Sequence, residues 1–304
     1  MASVLIFLVI RLLPGDIVRT IAGDVPISNE QRELLLEELG LNEPLFNQYI
    51  DWLSSFLHGH FGGISLESKE PIRYILGKQL PVSLLITSYS LFLSIVISIP
   101  LGIYAASSKN LWPDSIIRLV TTIGIAIPNL CIALLLLILL LLFTGWSPPI
   151  VYTHPWIDPW NHLKIVFWPT LILSWEFSST LIRITRSSIL NVLDKPYITS
   201  ARAKGLSNFM ILFRHSIPNA IITPITSIGL QFGILMSSLI VMETLFGLPG
   251  IGRGLIQAFI ARDFPLVQSL GSCIVLISLV INLIVDITYT LINPLIWDSA
   301  DRIA

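Results

Sequence analysis

Apolar residues run along this chain in long blocks separated by shorter polar stretches. Five blocks, at roughly 82–106, 115–143, 165–187, 217–241 and 266–292, are long enough to cross the ~30 Å hydrocarbon core of a bilayer as helices. The second contains LCIALLLLILLLLF, apolar all round, which predicts a helix facing lipid. The others are interrupted by Ser, Thr, Gly and Pro, as in PVSLLITSYSLFLSIVISIPLG. Small residues let helices approach closely, and hydroxyls satisfy backbone groups that Pro100, Pro169 and Pro224 leave free. No strand alternation of barrel type occurs, so the pattern predicts an all-α polytopic membrane protein.

The N-terminal block, MASVLIFLVIRLLPGD, is shorter. Arg11 interrupts it and Pro14-Gly15 stops it, leaving only ~18–20 Å of helix at ~1.5 Å per residue. No basic region precedes it and no A-x-A-like site follows, so residues 1–13 read as a first membrane helix, short or clipped at its start. In the polar region 14–80, ISNEQRELLLEELGL predicts a helix with Ser28 as N-cap and Gln31 closing a capping box. NEPLFNQYIDWLSSFL predicts a second helix.

Composition agrees with a membrane as solvent: 54% of residues are hydrophobic and 12% charged, and the mean hydropathy is +0.80. A net charge of −1 supplies no global basic field, which argues against a nucleic-acid partner. Cys131 and Cys273 both lie in apolar runs and make no disulfide framework. Charge also sets orientation. Segment 14–80 holds five Lys/Arg against ten Asp/Glu, whereas 183–215 holds six Lys/Arg against Asp194 alone. The positive-inside rule puts 183–215 in the cytoplasm. Alternation then puts 14–80, 144–164 and 242–265 outside, with 107–114 and the C-terminus inside.

A search for catalysis returns negatives. The sequence holds no G-x-x-x-x-G-K-[ST], no H-E-x-x-H, no C-x-x-C and no G-x-S-x-G. Gly250-Ile251-Gly252-Arg253-Gly254 lacks the Lys-Ser/Thr ending of a phosphate loop and reads as a tight turn or re-entrant loop. His58 and His60 lie close together without a third ligand, so no metal site is assigned. Glu176, Glu243 and Asp286 fall within or at the edge of spans, where a charge must face the bundle interior or water. Each is either part of a polar pathway or a partner in an interhelical hydrogen bond.

The segment TSARAKGLSNFMILFRHSIPNA, 199–220, stands out between two apolar blocks. Tyr197–Lys204 reads as a short helix ended by Gly205 as a left-handed C′ residue. Ser207 is a natural N-cap for a second helix over NFMILFRHS, and Pro218 fits the first turn of the next span. Periodicity leaves two readings open: a positive-inside loop lying on anionic membrane lipid, or a helix–glycine–helix surface for a cytoplasmic partner.

The pattern A-x-A-K-G-L-S, with a proline thirteen positions after its glycine, resembles the "EAA" loop of ABC-importer permease subunits. The chain is similar, more narrowly, to the first permease of the dipeptide/oligopeptide/nickel branch. RLLPGD at 11–16, LGLNEPLFNQYIDWL at 39–53, ARAKGLS at 201–207, METLFGLPGIGRGLIQAFIARDFPLVQ at 242–268 and INLIVDITYTLINP at 281–294 carry the resemblance. It implies a type I ABC importer bundle of about six transmembrane helices, the first one short. In that scheme 1–13 is the first helix, 14–80 is extracytoplasmic, 81–293 is the permease core and 294–304 is a cytoplasmic tail.

The resemblance implies that cytoplasmic loop 188–216 couples to a separate ATPase through Thr199, Ser200, Ala201, Ala203, Lys204, Gly205, Leu206 and Pro218. Thr199 replaces the Glu that names the general motif, so no carboxylate contact is assigned. ATP and Mg would be bound by two partner ATPase subunits, with no cofactor on this chain. A second, paralogous permease and an extracytoplasmic binding protein complete the assembly in the bacterial inner membrane. The implied mechanism is alternating access driven by ATP, with dipeptides or oligopeptides as substrate and nickel or another small solute as alternative. An ATPase-independent secondary transporter is the rival of another class. It calls for paired intramembrane acids and bases or an inverted repeat, and the sequence offers neither.

Overall fold

The computed structural model describes residues 2–12, 28–38, 42–149 and 151–292. Most of RLLPGD and the tail 294–304 lie outside the described residues. The order is α1 (Ala2–Leu12), α2 (Asn29–Glu38), α3 (Leu45–Leu57), α4 (Ile72–Ser107), α5 (Trp112–Ala126) and α6 (Asn129–Thr144). After these come α7 (Pro159–Leu193), α8 (Pro196–Ala203), α9 (Asn208–Leu245), α10 (Ile251–Ile260) and α11 (Phe264–Ile292). Among the described residues the only β-pairing is an isolated bridge between Ile64 and Pro71. Helices α4, α7, α9 and α11 are each long and apolar enough to cross a membrane, and α5 with α6 makes a fifth candidate span.

That fifth candidate is broken where the sequence expectation read 115–143 as a single span. The two halves meet at 95°. Pro128 is the cause: the residue before a proline is driven out of the α region, and Ile127 is extended at φ −96°, ψ 120°. The apolar helix α6 presents Leu135, Ile138, Leu142 and Phe143 outward, as a lipid-facing segment should. The helix carrying the 82–106 span also begins early, at Ile72, because Ile72, Ile75 and Leu76 have a core of their own to enter.

The chain divides into two compact units, one of residues up to Leu84 with Gly247–Ile277, the other of Leu85–Phe246 with the chain from Ser278. In the first unit, Ile72 and Leu76 of α4 pack with Ile251 and Ala258 of α10 and with Leu266 and Leu270 of α11. Phe7, Tyr49, Trp52, Phe56 and Phe61 follow one another in ring contact beside this core. The expected capping box forms: Ser28 N–H donates to Gln31 Oε1 at 3.0 Å, and Gln31 N–H to Ser28 Oγ at 3.2 Å. The glycine-rich stretch differs from expectation. Only Gly247 is in a left-handed turn (φ 67°), and Gly252 and Gly254 lie inside α10. Asp263, fully buried, caps α11 through the Leu266 N–H and takes a further bond from Ser65 Oγ at 2.5 Å.

In the second unit α7 is the axis against which α5 and α9 pack. Helix α4 brings Ser90, Ser94, Ser98 and Gly102 to one face at four-residue spacing, the small-residue register that allows close approach in membranes. Ser94 Oγ reaches the Ser174 carbonyl of α7 at 3.1 Å. A side chain at Gly102 would start 2.6 Å from Thr185 Cβ and 3.1 Å from the Ile182 carbonyl oxygen. Gly233 of α9, in contrast, has open space where a Cβ would stand. Gly102→Val is therefore expected to cost ~1–3 kcal/mol through overpacking. Thermal unfolding of the detergent-solubilised protein should register a Tm drop of roughly 2–5 °C for a chain of this size. Gly233→Ala should leave Tm unchanged or slightly raised, and equal effects from the two would refute the close approach.

Candidate functional site

The structure builds the 188–220 segment from local rules. Lys195, which precedes Pro196, is extended (φ −76°, ψ 146°), and Pro196 opens α8 where its missing N–H costs nothing. Helix α8 ends in a Schellman turn: Gly205 N–H donates to Arg202 O at 2.9 Å and Leu206 N–H to Ala201 O at 3.3 Å. The turn requires Gly205 at φ 80°, a conformation that glycine adopts without penalty. Ser207 then caps α9, its Oγ accepting from the Met210 N–H at 3.3 Å.

The second helix of the segment is not the regular one that the spacing predicts. After one α turn, Asn208–Met210, residues Ile211–Ser216 widen into a π-helix, followed by the turn Ile217–Ala220 and the long run Ile222–Leu245. Pro218 explains the widening, because its ring would collide with the Arg214 carbonyl in an α-helix and it has no N–H to give. Side chains take up freed carbonyls nearby: Ser216 Oγ donates to Ile211 O at 3.1 Å and Asn219 Nδ2 to His215 O at 2.7 Å.

Burial sorts the residues of the segment into two sets. Ile198, Ala201 and Ile211 are buried together, with Leu193 and Leu206 packed on them, so the segment carries a small core of its own. Thr199, Ser200, Ala203, Lys204 and Gly205 stand on the exposed side, and Pro218 is exposed farther along. Phe209 is 71% exposed and Phe213 52%, yet the two rings lie 4.5 Å apart, making an aromatic platform; Met210 and Arg214, next to them in sequence, are exposed too, and Arg202 borders the same cavity as Phe209. That cavity, of about 550 Å³, is bordered also by Ser107, Lys109, Leu190, Asp194 and Asn208. Phe209 and Phe213 stand four residues apart, so their shared face follows from helical spacing, whereas the π turn leaves no mark in that spacing.

The three intramembrane carboxylates are not brought together. Glu243 is fully buried near the end of α9, and Asp286 is exposed on α11. Glu176 is partly buried on α7 and accepts hydrogen bonds at Oε2 from Asn129 Nδ2, at the start of α6, and from Ser238 Oγ of α9 at 3.3 Å. It therefore sits where the broken helix resumes. An ion pair that sequence reading did not find lies farther along α7. Arg186 donates Nε to Asp114 Oδ1 at 2.6 Å and an Nη to Oδ2 at 2.8 Å, a two-pronged bond to a fully buried carboxylate. The Asn110 N–H adds a third bond at 3.2 Å. The local signal was present in WPD, a proline at the start of a helix with an acid in its first turn.

His58 and His60 are exposed after α3. His154 and His162 instead gather around Tyr152, with ring centroids 5.0 and 5.6 Å away, and burial pushes the Tyr152 phenol up to about 12. Among the described residues no three His, Cys, Asp or Glu side chains converge as metal ligands.

Helices of membrane length, with a self-cored helix–glycine–helix insert among them, define a multi-pass membrane protein. Residues 98–298 match the family of binding-protein-dependent transport system inner membrane components, and the chain belongs to that family. It is 35% identical over 295 residues to the glutathione transport system permease protein GsiC of Escherichia coli (strain K12), covering 97% of this chain and 93% of that one. Identity is 36% over 297 residues, with the same coverage, to the probable peptide ABC transporter permease protein y4tP of Sinorhizobium fredii (strain NBRC 101917 / NGR234). The solved MetNI methionine ABC transporter in its inward-facing conformations shares the fold, with a TM-score of 0.61 at 16% identity over 74% of this chain and 99% of that one. The expected type I importer bundle is thus the fold observed, and the chain is an ABC-importer permease component, not an enzyme.

The Asp114–Arg186 pair generates a stability prediction. Asp114→Ala strands Arg186 and is expected to destabilise the solubilised protein by ~3–5 kcal/mol, whereas Asp114→Leu with Arg186→Leu removes both charges and should recover most of that loss. Unfolding followed by intrinsic fluorescence distinguishes them; a double variant no better than the single would rule out an unpaired buried charge as the cause.

Proposed function

We propose that this chain is the permease through which an ATP-driven importer moves dipeptides or oligopeptides delivered by an extracytoplasmic binding protein. Loop 188–216 is its coupling element to two ATPase subunits at the cytoplasmic face, and a second, paralogous permease completes the pathway. In this arrangement residues 1–13 are the first membrane helix and 14–80 the extracytoplasmic region. Residues 81–293 are the core and 294–304 a cytoplasmic tail, in a bacterial inner membrane.

One observation carries the coupling reading: a segment with its own buried core displays an exposed aromatic pair, Phe209 with Phe213, and its cations Arg202, Lys204 and Arg214 are exposed as well. Exposed aromatic side chains beside arginine are the anchors that protein interfaces favour. Anionic lipid would recruit the cations but would not require the rigid Gly205 turn beneath them. Because the sequence has no phosphate loop, the nucleotide chemistry belongs to the partner and the permease contributes a lever. Family membership supports a binding protein as the source of substrate, and the glutathione and peptide transport systems of the relatives support peptides as the cargo.

Reconstitution of the assembled transporter in vesicles tests this. Gly205→Val forces a branched side chain into the left-handed region, at ~1–2 kcal/mol or more, and should uncouple peptide uptake from ATP hydrolysis. Gly205→Asn tolerates that backbone and should retain most uptake, since open space surrounds the position. Deletion of 199–215 should abolish ATPase association in pull-downs; uptake that survives it, or that proceeds with no ATPase subunit present, would sink the coupling reading in favour of a secondary transporter.

A further inference from the structure

Helices α5 and α7 enclose a groove of about 660 Å³ whose walls are unlike the rest of the bundle. On α7, Thr180, Arg183 and Ser187 line it, and on α5 Arg118 and Thr122. With Glu176 added, the α7 set stands at positions i, i+4, i+7 and i+11, a single polar stripe along one helical face. Glu176 and Thr180 stand inside the apolar block, where a polar face against hydrocarbon is costly, and Arg183 and Ser187 continue the stripe toward the cytoplasmic end, so this face belongs to water or to a solute. The wall is held open by close packing beside it, because Gly124 of α5 sits against Ser179 and Trp175 of α7.

Charge in the groove is not balanced. Asp114 is committed to Arg186 through both oxygens, and Arg118 reaches it only at 3.9 Å. Arg183 has no ion-pair partner among the described residues. Two guanidinium groups thus face the groove with hydroxyls between them, the donor set that grips a carboxylate. Glu176 lies seven residues away on the same face, ~10 Å along the helix at ~1.5 Å per residue. Both of its hydrogen bonds go to Oε2, leaving Oε1 with none among the described residues. An extended chain covers ~3.3–3.6 Å per residue, so ~10 Å is the span of a peptide of about three residues from ammonium to carboxylate.

We infer that Arg118 and Arg183 form a carboxylate-binding station on the translocation route, with Glu176 taking the terminal ammonium, so that this permease selects short linear peptides with two free ends. This rests on the peptide-importer reading above and adds a selectivity that a passive conduit lacks. The hydroxyl lining and the collinear Glu176 favour a peptide carboxylate over a lipid phosphate, which needs neither.

The experiment uses the full transporter in vesicles, with the binding protein saturated by a tripeptide free acid or by its C-terminal amide. In the parent transporter the free acid should be carried at least tenfold faster. Arg183→Gln with Arg118→Gln should lower free-acid uptake about tenfold and bring it level with the amide, whose own uptake should not change. Arg183→Lys should keep a partial preference, and Glu176→Gln should reduce discrimination against the N-acetylated tripeptide. A preference for the free acid that survives the double substitution overturns the station. So does a loss that is equal for acid and amide and tracks the anionic lipid content of the vesicles, which would assign the arginines to headgroups. If the parent complex takes up no peptide with ATP, the peptide reading itself fails, and the station fails with it.

Discussion

Hydrocarbon offers a helix no water, so every carbonyl that a proline releases must be claimed by another protein group. The second unit of this chain is arranged around that constraint. Pro224 cannot donate to the Ala220 carbonyl four residues back, and Ser188 Oγ of α7 donates to it instead at 2.6 Å. One hydroxyl thereby repairs α9 and fastens it to α7. Pro218 is accommodated differently, by a π turn whose loosened carbonyls go to Ser216 and Asn219. Pro128 has neither remedy, and the helix breaks there, with Asn129 at the new start bound to Glu176.

Once α7 holds α9 at Ala220 and Ser238, and holds α5 through Asp114, its polar stripe has a fixed frame. A stripe of Thr, Arg and Ser on a mobile helix would snorkel or turn inward. Here Arg186 is locked, so Arg183, three residues away and nearly a full turn around, is presented rather than absorbed. The same locking keeps Asp114 from neutralising Arg118. A buried pair that adds little net stability by itself can still decide which neighbouring charges remain available.

Much of this fold was readable in sequence because lipid imposes a simple rule, that spans are long and apolar. Caps and the glycine turn at 205 were readable too, since Ser28, Ser207 and Gly205 act on groups within a few residues. What could not be read was the outcome of each proline. Pro100 and Pro169 remain inside continuous helices while Pro128 ends one, and nothing in the local pattern distinguishes the three. The Asp114–Arg186 bond joins residues 72 apart, and the two donors to Glu176 lie 47 and 62 positions from it. Neither spacing leaves a periodic trace. The π turn stayed hidden for a related reason, since widening over Ile211–Ser216 leaves the i, i+4 pairing of Phe209 and Phe213 intact and makes no mark on the apolar spacing.

These features bear on how a displacement at the loop would travel under the proposed coupling. The core of Ile198, Ala201 and Ile211 makes α8 and the first turns of α9 move together, since any slip would expose that core. Ile211 opens the π segment, and Ser216, bonded back to the Ile211 carbonyl, closes it. Beyond it, Ala220 is tied to Ser188. A push on the platform therefore meets a rigid knuckle, then one widened turn, then a joint fixed to α7. Motion concentrates where hydrogen bonding is poorest, at 211–216, so α9 would hinge there while α7 carries the remainder. The polar stripe on α7 would then shift with each cycle, which is what alternating access demands of a surface that must bind on one stroke and release on the next.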